Sequence, residues 1–236
     1  MRPTLALFDI DGTLVDSGGA GRLGLEASFR AVFGLDDISD PVSRIRFDGK
    51  SDPTIIADIA QAAGLPKGEV ETRYAELQHA YLEALRAQLA LPNPRRRVLP
   101  GVLPLLERLA ARPDVSLGLI TGNIEEGARV KLEAFGLNRY FVDGGFSSDH
   151  PERSEIARIA YQKLSRRAGF RFSPDRVVVF GDTELDVACA KANGFRAIAV
   201  ASGGAPRDRL LAADPDALFA DLTDTGAILI AMGLTA

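Results

Sequence analysis

Asp9 and Asp11 close an apolar run, Leu5-Ala6-Leu7-Phe8, in the stretch Phe8-Asp9-Ile10-Asp11-Gly12-Thr13. A strand alternates its side chains between faces, so two acids two positions apart project to one side at the strand's C-terminal edge. Open α/β sheets place their active sites at that edge. Like charges held so close raise each other's pKa, and both stay ionised cheaply only with a cation between them. One carboxylate can then attack as a nucleophile while its neighbour handles protons. A second apolar run, Leu117-Gly118-Leu119-Ile120, ends in the small polar donors of Thr121-Gly122-Asn123, and a third, Val177-Val178-Val179-Phe180, ends in Gly181-Asp182 with Asp186 four residues on.

The nine residues Asp9 to Ser17, D-x-D-G-T-L-V-D-S, resemble the first motif of the haloacid dehalogenase (HAD) superfamily of phosphohydrolases. The stretch from Leu117 to Asn123 resembles its second motif, and Gly181 to Asp186, G-D-x-x-x-D, its fourth. The three stand in family order, each ends a predicted strand, and together the match covers roughly residues 5–203. The third motif departs from the pattern. Most relatives carry a lysine there, often in a K-P-x-P context, whereas this chain reads Ser147-Ser148-Asp149-His150-Pro151-Glu152-Arg153-Ser154-Glu155-Ile156. Arg153 is the candidate, because a guanidinium does the same electrostatic work and forks onto phosphate oxygens. Lys163, two to three turns into the same helix, is the fallback. Lys131 reads as a helix-surface charge with acids at pairing distance.

The resemblance implies a mechanism. Asp9 attacks phosphorus to form an aspartyl-phosphate, and Asp11 protonates the leaving alkoxide and later takes a proton from the attacking water. Mg²⁺ is implied as the cofactor, held by the carboxylates of Asp9 and Asp182 and the backbone carbonyl of Asp11, with Asp186 supporting the metal site. Thr121, with the backbone N–H groups of Gly122 and Asn123, would hold the phosphoryl oxygens. Several of these residues also have structural readings: Asp186, three residues after Thr183, can close a helix cap, and Asn123, with Glu126 three residues on, can be an N-cap. Cys189, between Ala188 and Ala190, reads as a small packed hydrophobe. His79 and His150 lack a second histidine at ligand spacing, and only His150 lies near the third-motif region as a substrate neighbour.

Short apolar runs alternate with helical patterns, which predicts an α/β fold, a Rossmann-like doubly wound parallel sheet. Strands are expected over residues 4–9, 117–121, 141–145, 177–182 and 197–201, with 217–220 at an edge. Residues 17–93 read as an all-helical insertion, giving an α/β core of 1–16 and 94–236 and a cap of 17–93 between the hinge-like flanks Ser17-Gly18-Gly19-Ala20-Gly21 and Pro92-Asn93-Pro94. Leu25, Phe29, Val32 and Phe33 follow helical spacing, as do Val70, Tyr74, Leu77, Tyr81 and Leu85. Asp52-Pro53 reads as an N-cap and first-turn pair for a helix carrying Ile55, Ile56 and Ile59. This insertion resembles the helical cap that many HAD phosphatases carry after the first motif, as in the phosphoglycolate-phosphatase-like and β-phosphoglucomutase-like groups. A cap excludes water and restricts substrates to small molecules. Lys50, in Phe47-Asp48-Gly49-Lys50-Ser51, is positioned to contact a second anionic group of the substrate.

The chain's 236 residues, 46% of them apolar, suffice for one substantial core and a smaller unit. A net charge of −4 gives no general attraction to nucleic acid or to anionic membranes, and the basic run Arg95-Arg96-Arg97 reads as a solvated linker. One cysteine excludes an internal disulfide. No apolar stretch reaches the roughly 20 residues of a membrane span, and the N-terminus enters the first strand at once, so a cytoplasmic address is expected. The resemblance, with which this composition agrees, implies a Mg²⁺-dependent phosphatase of the phosphoglycolate-phosphatase-like type acting on a small phosphorylated metabolite. Asp11 argues against a dehalogenase and a phosphonatase, which lack an acid there. A phosphomutase would keep every motif, and a silent binding protein would have lost Asp9 or Asp182.

Overall fold

The computed structural model describes residues 2–235. In chain order the elements are β1 (Thr4–Phe8), β2 (Val15–Asp16), α1 (Ala20–Phe33), α2 (Ser39–Ser43), α3 (Asp52–Ala62), α4 (Lys67–Thr72), α5 (Tyr74–Ala90), β3 (Arg97–Val98), α6 (Val102–Ala110), β4 (Val115–Ile120), α7 (Glu125–Glu133), β5 (Gly144–Gly145), α8 (Arg153–Ala168), β6 (Val177–Gly181), α9 (Glu184–Ala192), β7 (Arg196–Val200), α10 (Arg207–Ala212), β8 (Ala217–Phe219) and α11 (Thr225–Ala231). Six strands form a parallel sheet in the order β5-β4-β1-β6-β7-β8. β1 lies between β4 and β6, with Phe8 level with Leu119 and Phe180. That register is what brings the polar residues ending the three strands to one edge.

The sheet is buried on both faces, which is why its strands read as continuous apolar runs. Ala6 and Phe8 face a core completed by Leu105 and Leu109 of α6, Leu132 of α7 and Ile228 of α11. Phe8 stacks on Phe180 with ring centroids 4.4 Å apart. Leu5 and Leu7 face the opposite core, against Ile156 and Leu164 of α8 and Val187 and Cys189 of α9. The doubly wound sheet is thus as expected, with one strand shorter than its sequence suggested. β5 is only Gly144–Gly145, although the Asp143 carbonyl just before it also accepts from the Leu119 N–H at 3.2 Å. Neither glycine has room for a side chain: a Cβ on Gly144 would lie 2.6 Å from Leu119 and one on Gly145 2.2 Å from the Ile156 carbonyl.

Helices α1 to α5 gather around their own apolar cluster, in which Leu25, Phe29, Val32, Ile55, Ile56, Ile59, Val70, Leu77, Tyr81 and Leu85 are buried. Ile124, at the start of α7, joins that cluster. The helical insertion therefore shares its apolar interior with the sheet unit at this point. The two chain crossings between them are tied together by an antiparallel β2–β3 pair, Val15 opposite Val98. Arg96 differs from the solvated linker expected of it. Its guanidinium donates to the carbonyls of Gln88, Leu89 and Leu91 and so satisfies the open C-terminal end of α5. Ser51, not Asp52, is the N-cap of α3. No helix among the described residues is long and apolar enough to cross a membrane.

Candidate active site

Asp9 follows β1 directly, and its backbone N–H donates to the Phe180 carbonyl at 2.9 Å. Its carboxylate is buried, 5% exposed. Burial pushes its pKa up to about 7; the Arg153 guanidinium opposes that rise, and the carboxylates of Asp186 and Asp11 add to it. Asp182, at the end of β6, is pushed well above the ordinary carboxylate range by burial and then by Asp186 and Asp9. Gly12 turns beside it with φ +80°, and a Cβ there would overlap the Asp182 carboxylate. Only glycine accepts both the positive φ and that approach.

Asp186 fills two roles at once. One oxygen closes a capping box with Thr183, accepting from the Thr183 N–H at 3.0 Å and its hydroxyl at 2.6 Å. The other accepts from Arg153. Arg153 begins α8 with its side chain 9% exposed and its Nη2 also 3.6 Å from Asp9. Against the desolvation of burial, the carboxylates of Asp186 and Asp9 hold it protonated. Lys163, the alternative third-motif cation, instead pairs with Asp149 at 2.8 Å, over the Phe146 ring.

Asp9, Asp182 and Asp186 each offer a carboxylate oxygen, all within 4.8 Å of one another. An all-oxygen anionic donor set suits Mg²⁺ rather than a soft metal. Burial lifts Asp9 and Asp182, the negative excess of three acids facing one guanidinium adds to the rise, and a divalent cation would neutralise that excess. The residues therefore fit the ion. The Asp11 carboxylate is not in this cluster. It turns toward Lys131, whose Nζ lies 2.5 Å from Oδ2, and also accepts from Asn123 Nδ2 at 3.0 Å and Ser17 at 3.1 Å. Although burial opposes it, Lys131 with these donors holds the Asp11 carboxyl below the usual range.

Lys131 corrects its surface reading. It is 4% exposed, and its ammonium also donates to Asn123 Oδ1 at 2.6 Å. The signal was available: Ile124, Ala128 and Lys131 fall at i, i+4 and i+7, one inward helix face. Asn123 also differs from its N-cap reading. Its side chain links Asp11, Lys131 and the Thr121 hydroxyl, while the start of α7 is satisfied from elsewhere. Asp52 Oδ2 accepts from the Ile124 N–H at 2.8 Å, and the Ser148 hydroxyl accepts from the Glu125 N–H at 2.8 Å. In return the Asp52 N–H donates to the Gly122 carbonyl at 2.7 Å. A Cβ on Gly122 would lie 2.2 Å from the Lys50 carbonyl, so glycine lets the 50–52 segment seat here. Burial pushes the Asp52 carboxyl up to about 6.

A cavity of about 440 Å³ is lined by Asp9, Asp11, Thr121, Gly122, Asn123, Arg153 and Asp182, with Arg22, Lys50 and Tyr81 on the side of the helical insertion. Lys50 reaches it, but its ammonium pairs with Asp58 at 2.7 Å rather than standing free for an anion. His150 Nδ1 accepts the Glu152 N–H at 3.1 Å, outside the cavity lining.

Residues 3–194 match the haloacid dehalogenase-like hydrolase family. The chain is 31% identical over 232 residues to a phosphoglycolate phosphatase of Rhodospirillum rubrum, covering 95% of this chain and 90% of that one. It is also 31% identical to a phosphoglycolate phosphatase of Synechococcus elongatus, over 92% of this chain and 93% of that one. Among solved structures, CbbY from Rhodobacter sphaeroides in complex with phosphate superposes with a TM-score of 0.71 at 22% identity, over 95% and 97% of the two chains. Motifs, sheet order and relatives agree: the chain belongs to the haloacid dehalogenase-like hydrolases, in the phosphoglycolate-phosphatase-like group.

Proposed function

We propose that the protein hydrolyses a small phosphomonoester, with Mg²⁺, through an aspartyl-phosphate on Asp9. The observation that carries this reading is the separation of two acids two residues apart into opposite settings. Asp9 sits in a carboxylate cluster with Arg153, and Asp11 in a shell of donors around Lys131. A carboxylate without bonds to surplus donors keeps its nucleophilicity; one held in a fixed orientation suits proton transfer.

Asp9 attacks phosphorus and the ester P–O bond breaks. Asp11, ionised in this structure, takes up a proton as the phosphate ester binds and delivers it to the departing alkoxide, and then takes one from the water that attacks the phosphoaspartate. Arg153 offsets charge on the transferred group, with Thr121 and the N–H groups of Gly122 and Asn123 as further donors. The carboxylates of Asp9 and Asp182 and the Asp11 backbone carbonyl would hold Mg²⁺, with support from Asp186, and the bound ion would supply charge neutralisation at the phosphoryl oxygens. Residues 17–93 act as a cap on the α/β core, the 50–52 segment seating on Gly122 and Ile124 to keep water from the site. The relatives' names direct the first choice of substrate to phosphoglycolate.

The test is phosphate release from a panel of small phosphomonoesters, with Mg²⁺ and with chelator, alongside Asp9→Asn. Release that requires both Mg²⁺ and Asp9 is expected. Turnover retained by Asp9→Asn would remove the covalent mechanism.

A further inference from the structure

Four cations line the cavity over Asp9, and three are already neutralised. Arg153 pairs with Asp9 and Asp186, Lys131 with Asp11, and Lys50 with Asp58. Arg22, in the first turn of α1, is different. Its guanidinium donates to the carbonyls of Val42 at 3.2 Å and Ile45 at 3.5 Å and lies over the Phe47 ring, 4.4 Å from the centroid. No carboxylate among the described residues pairs with it, and the first turn of α1 carries no acid. Neutral carbonyls and an aromatic face aim a guanidinium without cancelling its charge. Two of its five N–H donors are engaged, which leaves three.

Its place along the cavity is set by its neighbours. Gly21, just before it, packs on Lys131, since a Cβ there would lie 3.3 Å from Nζ. Phe47, beneath the guanidinium, lines the same cavity as Asp9. We propose that Arg22 determines specificity: it receives a second anionic group, a carboxylate or a phosphate, at the far end of a short phosphomonoester whose phosphoryl group lies at Asp9. The phosphoryl end of this inference rests on the phosphatase reading; the anion at Arg22 does not. A half-buried guanidinium with no acidic partner gains a bidentate, charge-assisted pair from such a ligand, and an uncharged ligand end leaves it unpaired.

The experiment is calorimetric binding to the full chain, in excess Mg²⁺, of three unhydrolysable probes: phosphonoacetate, ethane-1,2-bisphosphonate and the uncharged-ended 2-hydroxyethylphosphonate. Wild-type protein should bind at least one doubly anionic probe about tenfold tighter than the hydroxyethyl probe, and whichever is favoured identifies carboxylate or phosphate as the second anion. Arg22→Gln should lose that preference while holding the hydroxyethyl probe within about twofold. Because Arg22 also orders the 42–47 segment, Arg22→Lys is measured beside it; the lysine keeps the charge without the paired carbonyl contacts and should retain most of the preference. The proposal is overturned by a wild type that shows no preference, by a preference surviving in Arg22→Gln, by equal losses on all three probes, or by Lys50→Gln abolishing the preference instead. An intact Arg22-dependent preference with no ester hydrolysed would fail the phosphatase reading alone, whereas hydrolysis without the preference would fail only this inference.

Discussion

Two buried cations pair with the acids on either side of Ile10, and their surroundings are opposite. Arg153 faces Asp9 and Asp186, with Asp182 alongside; burial raises the pKa values of Asp9 and Asp182, and because acids outnumber cations the like charges add to the rise. Lys131 bonds one acid, Asp11, which also receives Asn123 and Ser17, and there the pKa falls. The difference shows that charged partners, not proximity in sequence, set the two aspartates apart. The first cluster is built to take on positive charge; the second is electrically closed and serves to hold one carboxylate still.

The largest effect should come from removing the scarcer charge. Arg153→Ala leaves three buried carboxylates without their counter-ion, a change costing about 3–5 kcal/mol in buried pairs. Turnover should fall by about 10³-fold or more. Lys163→Ala, whose partner Asp149 lies at the surface, should stay within a few-fold. Steady-state kinetics on both variants decides, and a reversal would move the third-motif cation to Lys163.

Lys131→Met tests the closed cluster. Asp11 would keep Asn123 and Ser17 but lose its charged partner, and its carboxylate would no longer be fixed. A loss of about 100-fold in kcat is expected, with a stability cost of about 1–3 kcal/mol because Asp11 is half-buried. Leaving-group dependence separates positioning from general damage. On the proposed mechanism poor alkoxide leaving groups need a proton passed through Asp11 and should suffer more than a nitrophenolate; an equal loss on both would reduce Lys131 to a structural role.

The sheet and the aspartates were legible in the sequence because strand-end polarity is a local pattern: an apolar run followed by Asp9, Thr121 or Asp182 states its own place. The apolar stripes of α1 and α5 were legible for the same reason. What escaped depends on partners far along the chain. Lys131 was misread because its nearest acids in sequence suggested surface pairs, while its real partner is 120 residues away. The cap of α7 comes from Asp52, 72 residues before it. That α8 and β4 approach Gly144 and Gly145 too closely for any side chain is a packing result no local pattern encodes.

Acidity should expose the unbalanced cluster in the metal-free protein. The folded pKa of Asp9, about 7, lies above the ordinary aspartate value of 3.8, and Asp182 is raised in the same direction. Between those values the native state binds more protons than the unfolded chain, so stability falls as pH rises through 7. Asp11 acts oppositely, but its lowered pKa confines its contribution to pH below about 4. Metal-free protein should thus have a higher Tm at pH 6 than at pH 8, and saturating Mg²⁺ should raise the Tm most at pH 8, flattening the profile. A profile unaffected by Mg²⁺ would argue that the three carboxylates do not share a cation.

The smallest expected effect sharpens the comparison furthest, because it concerns the acid that Lys131 leaves unbonded. Asp52 feels the Lys131 charge, yet it bonds only the Ile124 N–H, and burial lifts its carboxyl to about 6. Asp52→Asn keeps an oxygen to accept that N–H and removes the charge; Asp52→Ala leaves the N–H unsatisfied. The alanine variant should lose about 1–2 kcal/mol at pH 7, and the asparagine variant less than about 1 kcal/mol. The raised folded pKa fixes the sign of the pH effect: ionising Asp52 opposes folding above pH 6, so Asp52→Asn should compare better with wild type at pH 8 than at pH 5. Urea midpoints at the two pH values measure this. If the asparagine variant fares worse at pH 8, the attraction of Lys131 for Asp52 outweighs burial, and one ammonium serves both acids.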